Sequence, residues 1–269
     1  MLTSESIKQV VKDKYGEIAQ AAETTGCGCD RRTANAAVFS NDYSRVQGYV
    51  VDADLGLGCG LPTEFAHIKE GDTVVDLGSG AGNDCFVARA EVGEAGEVIG
   101  VDMTEPMVAK ARKNAEKLGY ENVHFRLGEI EDLPVTDNRA DVVVSNCVLN
   151  LVPDKKKAFE ETFRILKPGG HFSISDVVTG GELPEKLKQA AAVYTGCVAG
   201  ALPKHEYLAL IEAAGFVNVV VQQERKIDLP EQFLAKYLSP QEISEFRELN
   251  PGIHSITVYA EKPGQRRQD

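Results

Sequence analysis

From Thr73 onward, the sequence alternates short runs of apolar, β-branched residues with longer segments of helical periodicity. The strand-like runs are TVVDLG, EVIGVDM, VHFRLGE, ADVVVSN and HFSISDV, followed later by Val217–Gln222 and His254–Glu261. Predicted helices lie between the first five runs, at Asn83–Val92, Glu105–Leu118 and Asp154–Leu166. Because parallel strands are joined by right-handed crossovers, this order predicts a parallel sheet covered on both faces.

Two features of this pattern refine the prediction of the sheet. A Pro-Gly-Gly turn at Pro168–Gly170 is expected to stop the preceding helix before the fifth strand begins. The last pair of strands is joined by a chain reversal, which predicts an antiparallel edge. We therefore expect a doubly wound, Rossmann-like α/β fold with a seven-stranded sheet whose last strand is antiparallel.

Two irregular stretches define the expected domain organisation. An amphipathic helix over Ser6–Ala22 leads into a glycine-rich arm, and long loops of this kind in compact domains are usually functional or disordered. We expect residues 1–60 to form the N-terminal helix and the cysteine-bearing arm, 61–180 the cofactor-binding core, 181–202 a small cap insertion, 203–262 the C-terminal helices and strands that complete the sheet, and 263–269 a tail.

The composition excludes several classes of partner. With 29 basic and 41 acidic side chains in 269 residues, the net charge of -12 repels nucleic-acid phosphates and anionic membranes. The N-terminal segment is charged and amphipathic, and nowhere do about 18 apolar residues follow one another. Six cysteines without an export signal are expected to be reduced thiols or ligands, so we expect a cytoplasmic protein.

A glycine loop follows the first predicted strand. Gly78, Gly80 and Gly82 precede a helix that begins near Asn83, and Asp102 closes the next strand about twenty residues later. Glycines allow a tight turn in which a ligand approaches the backbone amides at the start of the helix. An acidic side chain at the position of Asp102 would accept hydrogen bonds from both ribose hydroxyls, so the loop predicts a cofactor with an adenosine end.

Carboxylates around the loop favour a cationic cofactor. A pyrophosphate prefers helix amides free of acid, whereas the ammonium and sulfonium of S-adenosylmethionine favour nearby carboxylates. Asp76 lies just before the glycines and Asp84 lies at the start of the helix. After the third strand, LGEIEDLP places Glu129 and the backbone of Ile130 to meet the adenine edge. These residues predict S-adenosylmethionine rather than a nicotinamide dinucleotide.

Several segments together resemble the arsenite methyltransferase family of class I S-adenosylmethionine-dependent methyltransferases. They are GLGCGLP, VVDLGSGAGNDCFVA, IGVDMTEPMV, SNCVLNLVPDK, ILKPGGHFSISDV and GCVAGAL. The resemblance implies methyl transfer from S-adenosylmethionine to trivalent arsenic, with arsenite or methylarsenite as the small-molecule substrate. It implies cofactor contacts at Tyr15, Asp76, Gly78, Gly80, Asp102, Met103, Glu129, Ile130 and Asn146.

Three cysteines are the candidate arsenic ligands and catalytic residues. Cys147 follows Asn146 at the carboxyl end of the fourth strand, where ligands of open α/β sheets collect. Cys197 lies in the cap insertion, and Cys59 lies between two glycines that we expect to leave it exposed. Thiolates bind soft centres such as arsenic(III) better than oxygen or imidazole ligands do. The arsenic lone pair can then face the sulfonium methyl, so the reaction needs positioning rather than a general base.

The other cysteines leave alternatives open. Cys27 and Cys29 form a CGC pair that could complete the arsenic site, resolve a disulfide or scavenge metal, and a lone pair of this spacing is weak evidence for zinc. Cys85 lies in the first turn after the glycine loop, where a structural role and a redox role are equally consistent with its position.

Two other functions remain possible at this stage. The chain could methylate a small organic acceptor such as a quinone precursor, with incidental cysteines, or it could be a thiol-rich metalloid-binding protein without turnover. Under the arsenite hypothesis, disulfides form as arsenic changes oxidation state, so an external thiol reductant of the thioredoxin or glutathione type is expected as a partner.

Overall fold

The computed structural model describes residues 4–24, 42–181, 186, 200–235, 238–249 and 252–264. Within these residues, the strands form one seven-stranded sheet in the order β3-β2-β1-β4-β5-β7-β6. The strands are β1 (Thr73–Leu77), β2 (Glu97–Asp102), β3 (Val123–Leu127), β4 (Ala140–Asn146), β5 (Leu166–Thr179), β6 (Val217–Ile227) and β7 (Ile253–Glu261). Strands β1 to β5 pair in parallel, and β7 pairs antiparallel with both β5 and β6. The predicted fold class, with its antiparallel last strand, is therefore confirmed.

The helices begin and end at local signals that the sequence carries. They are α1 (Ser4–Thr24), α2 (Asn83–Val92), α3 (Glu105–Leu118), α4 (Lys155–Ile165), α5 (Lys204–Ala213), α6 (Glu231–Leu234) and α7 (Pro240–Leu249), with short 3-10 turns at Pro62–Phe65 and Leu149–Leu151. Asp154 caps α4 by accepting a hydrogen bond from the backbone N–H of Lys157 at 3.0 Å. Gly119 ends α3 in the left-handed conformation at φ 68°.

Apolar side chains cover both faces of the sheet. On one face, Phe159 of α4 packs edge-to-face against Tyr207 of α5, and both are fully buried. On the other face, buried residues of α2 and α3, among them Phe86 and Val108, pack with Phe125 of β3. Strand β1 lies at the centre and is buried along its whole length. None of the described helices combines the length and hydrophobicity needed to cross a membrane.

Chain order reverses between β1 and β4, which are neighbours in the sheet although two strands separate them in sequence. In open α/β sheets, ligands bind at the carboxyl ends of the strands on either side of this switch point. The glycine loop follows β1 and the Asn146–Cys147 pair follows β4, so the fold brings both predicted motifs to one crevice.

Two strands depart from the sequence expectations. Strand β5 already begins at Leu166, because the Pro-Gly-Gly segment forms an irregular part of the strand rather than a turn before it. Strand β6 extends to Ile227, beyond the predicted end at Gln222, because its pairing with β7 continues. The arm at 25–41 and most of the predicted cap insertion lie outside the described residues.

Candidate functional site

The glycine loop turns sharply between β1 and α2. Gly78 has φ 71°, a left-handed conformation, and a Cβ at this position would lie 2.5 Å from the Val148 side chain. Only glycine fits this close approach without strain. The loop is held to β2, because the backbone N–H groups of Gly78 and Ser79 both donate to the carbonyl of Val101, at 2.7 and 3.0 Å.

Asp102 links the end of β2 to this loop. One carboxylate oxygen accepts from the backbone N–H of Gly80 at 3.0 Å, and the other accepts from the backbone N–H of Thr104 at 2.8 Å. Burial raises the pKa of Asp102, while these backbone hydrogen bonds lower it. Each oxygen has a second lone pair, so the carboxylate can still accept hydrogen bonds from a ligand hydroxyl.

A cavity of about 790 Å³, partly open to solvent, lies at this crevice. It is lined by most of the predicted cofactor residues, namely Tyr15, Asp76, Gly78, Gly80, Asp102, Met103 and Asn146. Ile130 lines a smaller cavity of about 390 Å³ that shares Gly78, Asp102 and Met103 with the first. The two cavities are therefore neighbours that share part of their walls, and the smaller one is the more apolar.

The chemistry of the lining fits S-adenosylmethionine. Within the part of the chain that the structure describes, the buried Ser79 Oγ and Asn83 Oδ1 have no hydrogen-bond partner, and both residues line the larger cavity. Buried polar atoms of this kind normally require a partner, which a polar ligand would supply. The side chains of Val148, Leu151 and Val152 line the smaller cavity and suit an adenine ring.

Two buried carboxyl groups make the larger cavity acidic. Burial raises the pKa of Asp76 well above its ordinary value, and the neighbouring Asp84 raises it further. Burial also raises the pKa of Asp84, to about 6. The thiol of Cys85 donates a hydrogen bond to Asp76 Oδ2 at 3.2 Å. A cationic ligand would relieve the cost of these buried charges, as expected for an ammonium and a sulfonium.

The N-terminal helix borders the smaller cavity and is held there by ion pairs. Lys8 contacts Glu129 at 2.7 Å and Glu131 at 3.0 Å, and Lys12 contacts Glu129 at 3.1 Å. The carboxylate of Glu129, which we predicted to meet the adenine edge, is thus turned toward α1, and the hydrogen bond from Lys8 lowers its pKa. Glu131, which the sequence analysis did not single out, lines the smaller cavity instead.

The side chain of Asn146 makes several hydrogen bonds that the sequence did not suggest. Its side-chain oxygen accepts from the backbone N–H groups of Cys59 and Gly60, at 3.0 and 3.2 Å. Its side-chain nitrogen lies within hydrogen-bond distance of the Tyr43 hydroxyl at 2.6 Å, the Gly60 carbonyl at 2.9 Å and Asp84 Oδ2 at 3.1 Å. Tyr43, which no motif marked in the sequence, donates to Asp84 Oδ1 at 2.7 Å.

The structure brings Cys59 and Cys147 together. Their sulfur atoms and a carboxylate oxygen of Asp176 all lie within 4.8 Å of one another. Cys147 also lines the larger cavity, and it adopts φ 62°, a left-handed conformation that disfavours a side chain. Cys197, Cys27 and Cys29 lie outside the described residues. The thiol of Cys85 is separate from this pair and donates a hydrogen bond to Asp76.

The expectation that Cys59 is exposed was wrong, because its side chain is fully buried. The flanking glycines allow close packing rather than access. A Cβ on Gly58 would lie 2.6 Å from Asn146 Nδ2, and a Cβ on Gly60 would lie 2.3 Å from Ser175 Oγ. Glycine is therefore required on both sides of Cys59 for the segment to reach the end of β4 and β5.

Asp176 was missed in the sequence analysis, although its place at the carboxyl end of the fifth predicted strand could have indicated it. It is fully buried in β5, and burial raises its pKa to about 7. The hydroxyl of Tyr207 donates to it at 3.3 Å. Around the two thiols, the apolar shell includes Ile227 of β6 and Leu234 of α6, so the thiol compartment is enclosed mainly by hydrocarbon.

Comparison with known proteins identifies relatives of this chain. A family model described as a methyltransferase domain matches residues 68–215. An arsenite methyltransferase of Halobacterium salinarum is 40% identical over 97% of this chain and 68% of its own length. The human arsenite methyltransferase is 34% identical over 84% of this chain and 64% of its own length. The chain thus spans about two thirds of the length of these relatives.

A solved structure supports the same relationship. The crystal structure of an arsenic(III) S-adenosylmethionine methyltransferase from Chlamydomonas reinhardtii matches with a TM-score of 0.65 and 35% identity, covering 77% of this chain and 68% of the other. A protein of Bacillus subtilis matches with a TM-score of 0.60 at 22% identity, which shows the shared fold alone.

Proposed function

Because this chain belongs to the arsenite methyltransferase family and has a methyltransferase domain, we propose that it holds trivalent arsenic on Cys59 and Cys147 for methylation. The observation that carries this proposal is the place of Cys147. Its side chain lines the predicted cofactor cavity, and its sulfur lies within 4.8 Å of the sulfur of Cys59. Arsenic bound at this pair would therefore lie beside the cofactor. We assign the third ligand to Cys197, as expected from the sequence.

The residues that line the two cavities bind S-adenosylmethionine in this proposal. The carboxyl groups of Asp76 and Asp84 suit the cationic methionine end, and Asp102 suits the ribose. Ile130 and its apolar neighbours suit the adenine. S-adenosylmethionine, when bound, supplies a methyl group on a positively charged sulfur.

The thiols orient the bound arsenic and do not act as acids or bases. Arsenic(III) held by sulfur ligands keeps a lone pair directed away from them, and that lone pair is the nucleophile. Catalysis then consists mainly of holding the arsenic at attack distance, which requires no proton transfer at the reacting atom. The apolar residues around Cys59 and Cys147 reduce the access of water to the bound arsenic.

The reaction changes the oxidation state of the substrate. Transfer of a methyl cation to the lone pair converts arsenic(III) to arsenic(V), and two electrons are needed to return it to the trivalent state. We propose that a pair of the site's thiols supplies these electrons and forms a disulfide. An external thiol reductant of the thioredoxin or glutathione type then restores the thiols, which is consistent with a reducing cytoplasm.

The test uses purified protein with arsenite, methyl-labelled S-adenosylmethionine and a dithiol, followed by separation of the arsenic species. We expect labelled methylarsenicals from the wild type and none from Cys59→Ser, Cys147→Ser or Cys197→Ser. The matched control is Cys85→Ser, which changes a buried cysteine outside the thiol pair and should still yield labelled methylarsenicals at saturating S-adenosylmethionine.

Two outcomes would contradict the proposal. Labelling of an organic acceptor without any arsenical, surviving Cys147→Ser, would select methylation of a small organic molecule. Stoichiometric arsenite binding without cofactor consumption would select a metalloid-binding protein.

A further inference from the structure

One hydrogen-bond network connects the cofactor cavity with the thiol compartment. We call it the Tyr43 network; it consists of the side chains of Tyr43, Asp84 and Asn146 and the backbone of Cys59 and Gly60. Tyr43 and Asp84 are buried, and all three side chains line the cavity. The Tyr43 hydroxyl lies 2.7 Å from Asp84 Oδ1, 2.6 Å from Asn146 Nδ2 and 3.1 Å from the Gly60 carbonyl oxygen. The network is therefore continuous from a cavity carboxylate to the thiol-bearing loop.

The network holds the backbone of Cys59 from one side, and β7 holds it from the other. Asn146 Oδ1 accepts from the Cys59 N–H at 3.0 Å, and Ser255 Oγ donates to the Cys59 carbonyl at 2.6 Å. Gly58 packs so closely on Asn146 that a Cβ would lie 2.6 Å from its amide nitrogen. A movement of the Asn146 side chain toward Gly58 would therefore displace the loop that carries Cys59, because there is no space on that side to absorb it.

The same amide also responds to Asp84. Asn146 Nδ2 has two hydrogens and three acceptors within reach, which are Tyr43, Gly60 and Asp84. A cation in the acidic end of the cavity draws electron density on the Asp84 carboxylate toward itself. The two carboxylate oxygens then accept more weakly from Asn146 and Tyr43. The balance among the three hydrogen bonds then shifts toward Gly60, in the loop that carries Cys59.

We propose that Tyr43 and Asn146 are positioning residues that couple cofactor binding at Asp84 to arsenite binding at Cys59. This inference rests on the proposed function, since it takes Cys59 as an arsenic ligand and the cavity as the cofactor site. Its consequence is thermodynamic: each ligand strengthens the binding of the other by the same factor. The bound cofactor thereby prepares the thiol pair for its substrate.

The experiment measures binding rather than turnover. Arsenite affinity is determined with and without saturating S-adenosylhomocysteine, which carries the same ammonium group and transfers no methyl, in a phosphine reductant that does not compete for arsenic. In the wild type we expect arsenite to bind about fivefold or more tightly with S-adenosylhomocysteine present. The reciprocal titration must give the same factor.

Two variants break the network from different ends. Tyr43→Phe removes one hydroxyl, and Asn146→Asp keeps an acceptor for the Cys59 N–H but loses the donors. In both, we expect the coupling factor to fall to about one, while Tyr43→Phe loses only the few-fold affinity for each ligand expected of one hydrogen bond. The matched control is Tyr259→Phe, because its hydroxyl contacts Glu261, in β7 and outside the network.

A coupling factor of one in the wild type would overturn the inference, and so would an unchanged factor in Tyr43→Phe. Failure of the proposed function has a different signature, in which Cys59→Ser binds arsenite as tightly as the wild type. A general loss of structure is also distinguishable, because it would weaken both ligands in Tyr43→Phe by more than one hydrogen bond and lower thermal stability without ligand.

Discussion

Replacing Asp84 with asparagine should stabilise the ligand-free protein at neutral pH. Burial raises the pKa of this carboxyl from 3.8 to about 6. At about 1.4 kcal/mol per pKa unit, ionising Asp84 in the folded protein costs about 3 kcal/mol of unfolding free energy above pH 6. Asparagine carries no charge and avoids this cost, but its amide cannot accept from both Tyr43 and Asn146, which loses about 1 kcal/mol.

The net expectation is a gain of about 2 kcal/mol at pH 8, or roughly 4–8 °C in Tm for a domain of this size. The pH dependence has a defined sign. Because the folded pKa of Asp84 is higher than the unfolded one, the contribution of Asp84 to wild-type stability falls as pH rises from about 4 to about 6 and then levels off. The advantage of Asp84→Asn should therefore be largest above pH 6, and the avoided cost should be roughly half as large at pH 5.

Urea unfolding of the ligand-free protein at pH 8 and pH 5 measures this difference. The control is Asp52→Asn, the same chemical change at an exposed side chain, which should alter stability little at either pH. The gain should come with weaker cofactor binding, with S-adenosylhomocysteine affinity reduced about tenfold or more because a charge-assisted contact is lost. A variant that is less stable at pH 8, or whose effect does not change with pH, would refute the electrostatic argument.

Three further substitutions test separate parts of the site. Cys85→Ala removes the hydrogen-bond donor to Asp76 and should raise the KM for S-adenosylmethionine about fivefold with little change in kcat, measured by steady-state kinetics. Gly60→Ala places a Cβ 2.3 Å from Ser175 Oγ and should lower unfolding free energy by about 1–3 kcal/mol, with weaker arsenite binding. Lys8→Met removes the ion pairs that Lys8 makes with Glu129 and Glu131, and it should raise the KM for S-adenosylmethionine about two- to fivefold at low salt, with a smaller effect at high salt.

For each of these three substitutions, one outcome would contradict the reasoning. A change in kcat alone for Cys85→Ala would show that the thiol acts on the reaction rather than on cofactor binding. Gly264→Ala is the control for Gly60→Ala, since no atom lies within 4 Å of its added Cβ, and equal effects would refute the packing argument. Loss of activity in Lys8→Met that salt does not diminish would point to a cause other than the ion pairs.

Most of the sheet could be predicted because its signals are local. Helix α2 and helix α3 begin and end at the predicted residues, since Gly82 and Gly93 flank α2, and Thr104 and Gly119 flank α3. Helix α6 has four residues, too few to show a helical period. Helix α7 did carry a signal that the sequence analysis did not use. Ser239 and Glu242 form a capping box, with hydrogen bonds of 3.3 and 2.8 Å in opposite directions.

The site was only partly predictable, for a physical reason. Asp102 and Cys147 follow predicted strands, so the fold class alone places them at the crevice. Tyr43 follows no strand, and its partners Asp84 and Asn146 are 41 and 103 residues away in sequence. A local sequence pattern cannot indicate a contact between side chains so far apart in the sequence. The burial of Cys59 was missed for the same reason, because the side chains that cover it come from β6 and from segments after it.

The two halves of the site have opposite chemical requirements, and this explains their separation. A cationic cofactor is favoured by the buried carboxyls of Asp76 and Asp84, whereas arsenous acid is uncharged and its soft arsenic is favoured by thiols in an apolar shell. Asp176 is the carboxyl group beside the two thiols, and burial raises its pKa to about 7, which limits its negative charge near the arsenic at neutral pH. The two environments meet where Asn146 precedes Cys147 in sequence, and Cys147 adopts the left-handed φ of 62° there. A strained backbone at that junction is consistent with a residue that must serve both compartments at once, because strain of this kind persists only where surrounding contacts fix it.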